Sequence, residues 1–314
     1  MPVASAALSQ AVLDAVAREW EISWPPDVFR PGAGEEAGGA VRLPGGEESA
    51  AYRCGELVVR IGPRWRSTEE AEWCHEVALR AAAGGVKEVV RPLSTRRDRT
   101  VVRVRDHPVS VWKHVVGDWL DRDDPAQRAQ AARLLGRLHR ALLTCASPMP
   151  ARPVPSGMET GSYGETWNGP PNLVDTGLDR WLAGFHRLQP LAHPLHGDYY
   201  RANLLVRDDR LVAVLDWDEA LVGPPALEVA AAAREFSDPW STDLGPAQEF
   251  FTEYAAAGGT ASRLDEEALA QLIRHRLRCE AAAFETQAAR GEVHTQEDID
   301  YHQRRLALFR GLRP

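Results

Sequence analysis

The 314-residue sequence has no apolar run near the ~20 residues that a membrane-spanning helix needs, which argues against a helical membrane protein. Its first charged residue is Asp14, so the start has no basic region. No signal or transit peptide is expected, and the protein is placed in the cytoplasm. Its four cysteines, Cys54, Cys74, Cys145 and Cys279, form no C-x-x-C pair. That disfavours a disulfide framework and leaves reduced thiols as the simplest reading. No cluster of Cys and His offers zinc a site. Internal repeats and low-complexity tracts are absent.

Positive charge is also in deficit, and unevenly so. The net charge is -8; residues 1–116 hold 16 Lys/Arg and 16 Asp/Glu, whereas residues 117–314 hold 21 and 29. An acidic second part disfavours nucleic acid as a partner and suits a cationic small molecule, although acidic surfaces also serve solubility. The rest of the composition is globular, with 44% hydrophobic and 26% charged residues, enough for one large domain or two. Trp is frequent, at 10 residues, and such rings line cores and ligand clefts.

Along the chain, Leu8, Val12, Leu13, Val16 and Trp20 share one stripe of a helix over residues 3–20, which Pro25 and Pro26 end. From Ala40 the pattern changes to short strand-like runs: AVRL, AAYRC and ELVVRIG, the last two forming a hairpin at Cys54-Gly55. A helix over STEEAEWCHEVALRAAAGG follows, closed by Gly84 and Gly85. VVRPL, RTVVRVRD and VSVWKHVV read as further strands. After Gly117 the chain turns mainly helical, beginning with AQRAQAARLLGRLHRALL. Residues 145–175 form a long Pro- and Gly-rich connection, either functional or mobile. The organisation expected is α+β, with a small antiparallel sheet plus one helix over residues 1–116 and a larger, mainly helical part over 117–314.

The chemistry concentrates in HGDYYRANLLV, residues 196–206, and LDWDEA, residues 215–220. The strands 203–206 and 211–215 form a hairpin around RDDR. Asn203 starts it and Asp216 follows it, so the two lie side by side at its open end, with Asp198 on the preceding loop. Three oxygen groups converging on one point suit a hard cation such as Mg2+. Phosphoryl transfer needs such a set: one carboxylate to orient an attacking hydroxyl, and an amide and a second carboxylate for metal ions bridging the phosphates.

HGDYYRANLL resembles the H-G-D-x-x-x-x-N motif of the aminoglycoside phosphotransferase and choline-kinase-like family. VLDWDEALVGPPALEVA is similar to its second motif, and LGRLHRAL to the helix that opens its larger lobe. LVVRI, HEVALRAAA and WKHVVGDWL resemble its smaller lobe in the right order. The likeness runs from about residue 40 to about residue 255; the block 196–228 carries most of its specificity. It implies a two-lobed protein-kinase-like fold and transfer of the γ-phosphoryl group of ATP or GTP to a hydroxyl of a small molecule. Asp198 would be the catalytic base, and Asn203 and Asp216 the Mg2+ ligands. Arg60 would hold the phosphates, paired with Glu76. Ser49 and Gly46 would belong to the loop over the phosphates, and His114 and Val115 to the hinge that meets the base. Arg60 departs from the Lys of many relatives, but a guanidinium binds phosphate bidentately. Arg201 departs from the small residue or Pro usual at its position.

The acceptor expected is an aminoglycoside or other amino-bearing antibiotic, with a resistance role, or else choline, homoserine or a sugar. Candidate acceptor contacts are Arg201, Asp218, Asp238, Asp243, Glu280, Glu285, Tyr163 and Trp167. Each has a plainer reading. Asp198 and Asn203 also suit turns, Asp218 could assist a metal or cap a turn, and Arg60–Glu76 could be a surface ion pair. His196 reads as structural, holding its loop through backbone hydrogen bonds, and His139 as a satisfied core histidine. A silent nucleotide-binding protein would have no need of Asp198, Asn203 and Asp216 together, and a metal hydrolase would need more ligands. The chain is expected to act as a monomer or weak dimer, without nucleic acid or membrane.

Overall fold

The computed structural model describes residues 7–24, 39–44, 49–144, 167, 169–261, 264–289, 291 and 293–313. Helix α1 (Gln10–Trp20) starts at Ser9, whose hydroxyl accepts from the Val12 amide, and stops at Glu21, whose φ of 55° is left-handed. The stop therefore precedes Pro25 and Pro26. Its inner stripe, Val12, Leu13, Val16 and Trp20, packs on Val59, Ile61, Val109 and Val111.

Those four valines and isoleucines come from a five-stranded antiparallel sheet. Its strands are β1 (Val41–Arg42), β2 (Ala50–Cys54), β3 (Leu57–Ile61), β4 (Val102–Val104) and β5 (His107–Lys113), in the order β1-β2-β3-β5-β4. The β2–β3 hairpin turns at Gly55 with φ +63°, a conformation glycine adopts without steric cost. Segment VVRPL does not become a strand. It makes single bridges, Val89 to Val214 and Pro92 to Trp112, and so ties the sheet to the rest of the molecule.

Helix α2 (Thr68–Ala83) is capped by Ser67, which accepts from the Glu70 amide at 3.0 Å. Glu69 and Glu70 in its first turn suit the helix dipole. Its buried face, Trp73, Cys74, Val77, Ala78, Ala81 and Ala82, belongs to the core of the helical part. At its end Gly84 lies against α3 (Pro125–Leu143): a Cβ there would sit 2.6 Å from that of Ala141.

The remaining elements are β6 (Asp118–Trp119), α4 (Thr176–Leu188), β7 (His193–Leu195), β8 (Leu204–Arg207), β9 (Arg210–Val214), β10 (Leu221–Gly223), α5 (Pro225–Glu235), α6 (Gly245–Ala256), α7 (Glu266–Ala289) and α8 (Gln296–Gly311). Strands β6, β8 and β9 form one small antiparallel sheet, and β7 pairs with β10. The β8–β9 hairpin turns at Asp208 and Asp209, with φ 51° and 57°; two positive φ values in a two-residue loop match the right-handed twist of paired strands. None of the described helices is long and apolar enough to cross a membrane.

Three histidines in this interior are held neutral. Burial pushes His75, His193 and His275 down to about 4 each. Their folded pKa lies below the unfolded one, so the stabilisation is complete above about 6.5 and is lost as pH falls toward 4. Urea midpoints are expected to fall steadily between pH 6.5 and 4. Unfolding in that window should take up protons, and a flat midpoint there would refute the assignment.

Candidate active site

The β8–β9 hairpin sets the site. Leu204 pairs with Val214, and the Leu215 amide donates to the Asn203 carbonyl at 2.9 Å. This brings Asn203 and Asp216 to its open end, as the spacing implied. The Asn203 side chain donates through Nδ2 to the carbonyl and to Oδ2 of Asp198, at 2.8 and 3.0 Å. Its Oδ1 is thereby left as the acceptor end of the amide. Asp216 has φ 55°, a left-handed strain that a non-glycine residue adopts where the surroundings impose it, characteristically at functional sites. Burial lifts the Asp198 carboxyl above its ordinary value and Asp216 adds to the lift, while His196, Arg276 and Asn203 oppose it.

Gly197 sits where only glycine fits. Its φ is +86°, and a Cβ would come within 1.9 Å of the Glu219 carbonyl oxygen. Gly197→Ala is expected to cost at least about 1–2 kcal/mol from the backbone conformation alone. A thermal melt and turnover should both fall, and an unchanged melting temperature would contradict this packing.

His196 bonds the backbone on both sides of the loop. Its Nε2 bonds the Leu215 carbonyl at 2.8 Å, and its Nδ1 accepts from the Asp198 amide at 3.3 Å. Beneath it lies Glu228 of α5, a residue that sequence reasoning left unassigned. Glu228 accepts from the His196 amide at 3.3 Å and from the Gly197 amide. Its Oε2 also meets His139 Nε2 at 2.7 Å. The carboxylate requires a donor, so Nε2 carries the proton, and Nδ1 accepts from the Tyr254 hydroxyl at 2.8 Å. Burial alone would raise the Glu228 carboxyl, but His139, His196 and the Gly197 amide together hold it below the ordinary range. A glutamate within the apolar run PALEVAAAA was the signal available for it.

Across the cleft, Arg60 on β3 does not pair with Glu76. It bonds Asp216 Oδ1 at 2.7 Å and Asp218 Oδ2 at 2.9 Å. Glu76 lies on the outer side of α2, half-exposed, and pairs with Arg80 at 2.7 Å. Helix phase explains the correction: the inner face of α2 is carried by Trp73, Cys74 and Val77, which turns Glu76 away. Asp218 is enclosed by basic and polar groups. It also receives Arg66 Nη1 at 2.7 Å and the Ser49 hydroxyl at 3.3 Å. Burial would raise its carboxyl, and Arg60, Arg66, His75 and Ser49 outweigh that and hold it low. Arg66, almost fully buried, had no signal in the sequence. Ser49, Arg60, Arg66 and Asp218 line a cavity of about 20 Å³.

His114 follows β5, where its amide donates to the Glu56 carbonyl at 2.9 Å. Val115 packs with Val90, Trp112, Leu205 and Ala213. Asp238 accepts from the Trp240 amide at 3.0 Å, and Asp243 from the Gly245 amide at 2.9 Å, which makes both local turn and helix-start groups. Glu285 accepts from Asn172 at 2.9 Å. Trp167 carries the Arg278 guanidinium 4.2 Å above its ring. Glu280 is enclosed by Arg234, Arg276 and Arg305. Arg201 is exposed in the turn between Asp198 and Asn203. Gly46 and Tyr163 lie outside the described residues.

The carboxylates and the amide at the hairpin mouth face guanidinium groups from the antiparallel sheet, in a chain of two-lobed, protein-kinase-like fold. Residues 39–272 match the phosphotransferase enzyme family, and the chain belongs to it. Protein StrN of Streptomyces griseus is 26% identical over 235 residues, covering 64% of this chain and 72% of that protein. Among solved structures, the amicoumacin kinase hAmiN in complex with AMP-PNP, Ca2+ and Ami superposes with a TM-score of 0.66 at 14% identity, covering 96% of this chain and 93% of that one. A choline/ethanolamine kinase family protein from Mesorhizobium loti superposes at 0.60 with 17% identity, covering 96% and 94%.

Proposed function

We propose that this enzyme transfers the γ-phosphoryl group of ATP or GTP to a hydroxyl of a small acceptor, with Asp198 as the base. The observation that supports this most directly is the Asp198–Asn203–Asp216 cluster, in which the amide is oriented by the base and the strained Asp216 sits opposite Arg60. Asn203 Oδ1 and the Asp216 carboxylate are an all-oxygen donor pair of the kind Mg2+ takes. Bound there, Mg2+ would neutralise charge on the phosphates. Arg60 would then turn to the phosphates, with Ser49 and Gly46 in the loop above them and His114 and Val115 at the base. Residues 1–116 are read as the nucleotide lobe and 117–314 as the acceptor lobe. Asp218 keeps Arg66 and the sheet docked on the hairpin while Arg60 changes partner.

An antibiotic acceptor draws support from the resemblance to hAmiN, whose complex contains Ami, and a metabolite acceptor from the choline/ethanolamine kinase likeness. The test is a thermal shift with ATP and with GTP, each with and without Mg2+. A Mg2+-dependent rise with at least one nucleotide is expected, and Arg60→Met should reduce it. No shift with either nucleotide would sink the reading.

A further inference from the structure

We propose that Asp218 is the positioning residue of Arg60, and that Arg66 fixes Asp218 for that task; the inference rests on the phosphoryl-transfer reading above, in which Arg60 meets the phosphates. The sequence assigns the task to Glu76, but Glu76 turns outward to Arg80. A single nitrogen of Arg60, Nη2, reaches both carboxylates of the hairpin mouth: Asp216 Oδ1 at 2.7 Å and Asp218 Oδ2 at 2.9 Å. Its Nε and Nη1 donate to none of the described residues. One corner of the guanidinium is tethered, and the others keep donors for an anion.

The two carboxylates are not equivalent. The Asp216 side chain is 34% exposed and that of Asp218 16%. A second guanidinium binds the same Asp218 oxygen: Arg66 Nη1 lies 2.7 Å from Oδ2, on a side chain only 2% exposed. Arg66 is itself held in place. Its Nη2 reaches Glu219 at 3.3 Å, and its carbonyl accepts from Arg103 Nη1 at 2.9 Å. The Ser49 hydroxyl donates to Asp218 Oδ2 at 3.3 Å, and Cys74 Sγ to the Asp218 carbonyl at 3.4 Å. Asp218 is therefore fixed from the residue before β2, from the loop before α2 and from α2 itself, whereas Asp216 keeps an open side. Occupation of the Asp216 carboxylate by a cation would loosen its bond to Arg60 and leave the Asp218 tether in place. Arg60 then stays aimed across the mouth, and less side-chain freedom is lost when it takes a phosphate.

The experiment is a double-mutant cycle on nucleotide affinity, read by titration calorimetry with AMP-PNP and with GMP-PNP in the presence of Mg2+. Arg60→Met is expected to weaken the tighter of the two by about tenfold or more, the range for hydrogen bonds to charged groups. Asp218→Asn should weaken it by about fivefold. In the double variant the loss should stay within about twofold of Arg60→Met alone, because Asp218 acts through Arg60 and the two effects are not additive. A residue that merely supported the fold, or one that bound the metal itself, would weaken binding in the Arg60→Met background as well. Arg66→Gln in place of Asp218→Asn makes a second cycle with the same expectation, so the proposal stays open to refutation if one variant does not fold. A folded single variant of Asp218 or Arg66 that binds within about twofold of the parent overturns the proposal, as do losses that multiply in either double variant. Either result, with the parent binding an analogue, sinks this inference alone; no binding of either analogue to the parent sinks the kinase reading with it.

Discussion

Asp198→Asn is expected to lower kcat by about 10²- to 10⁴-fold, the usual range for loss of a positioned general base, while the nucleotide-induced thermal shift survives. The substitution is nearly isosteric. It removes the proton acceptor from a loop that His196, Asn203 and the backbone continue to hold. A general base acts in the chemical step, so under the proposed role of Asp198 the loss should appear in kcat and kcat/KM alike rather than in nucleotide affinity. Initial rates under saturating acceptor and nucleotide make the measurement. Turnover within threefold of the parent would remove Asp198 from the mechanism and leave the hairpin mouth as a metal-nucleotide site only.

Glu228→Ala carries the second large effect, on stability and loop position together. One buried carboxylate anchors the amides of His196 and Gly197 and the ring of His139, which is linked in turn to Tyr254. Removing one member of such a buried set leaves its partners desolvated, at about 3–5 kcal/mol. Chemical denaturation should show that loss, and activity should fall further than the unfolded fraction explains, because the loop holding Asp198 is loosened. Glu228→Gln keeps an acceptor for one amide and should lose less. If Glu228→Ala unfolds within 1 kcal/mol of the parent, with ~1 kcal/mol being the worth of a single ordinary hydrogen bond, the network is not what holds the loop.

Counting residues placed the whole excess of acid in the second part of the chain and pointed to a cationic ligand. The folded arrangement distributes that acid elsewhere: Asp238 and Asp243 serve local backbone, and Glu280 is matched by three guanidinium groups. Net charge is a sum over the surface, whereas recognition depends on the few groups that keep donors available at the site.

By itself, the sequence determined the hairpin and the groups at its mouth. Asn203 and Asp216 are 13 residues apart, and the apolar runs NLLV and LVAVL on either side of RDDR fold back on each other with Leu204 opposite Val214, which puts the two side by side. It likewise determined the small sheet, the capped helix α2 at Ser67, and the structural reading of His196 and His139, since each depends on local patterning or nearby backbone. The partner of Arg60 was decided by the tertiary structure alone. Whether Glu76 or Glu70 faces inward depends on how α2 rolls against α3, which a few buried alanines and Gly84 set. The parts played by Arg66, Asp218 and Glu228 were decided in the same way. Each acts through a partner more than 30 residues away or on another helix, and no local period encodes which distant charge a buried side chain will meet.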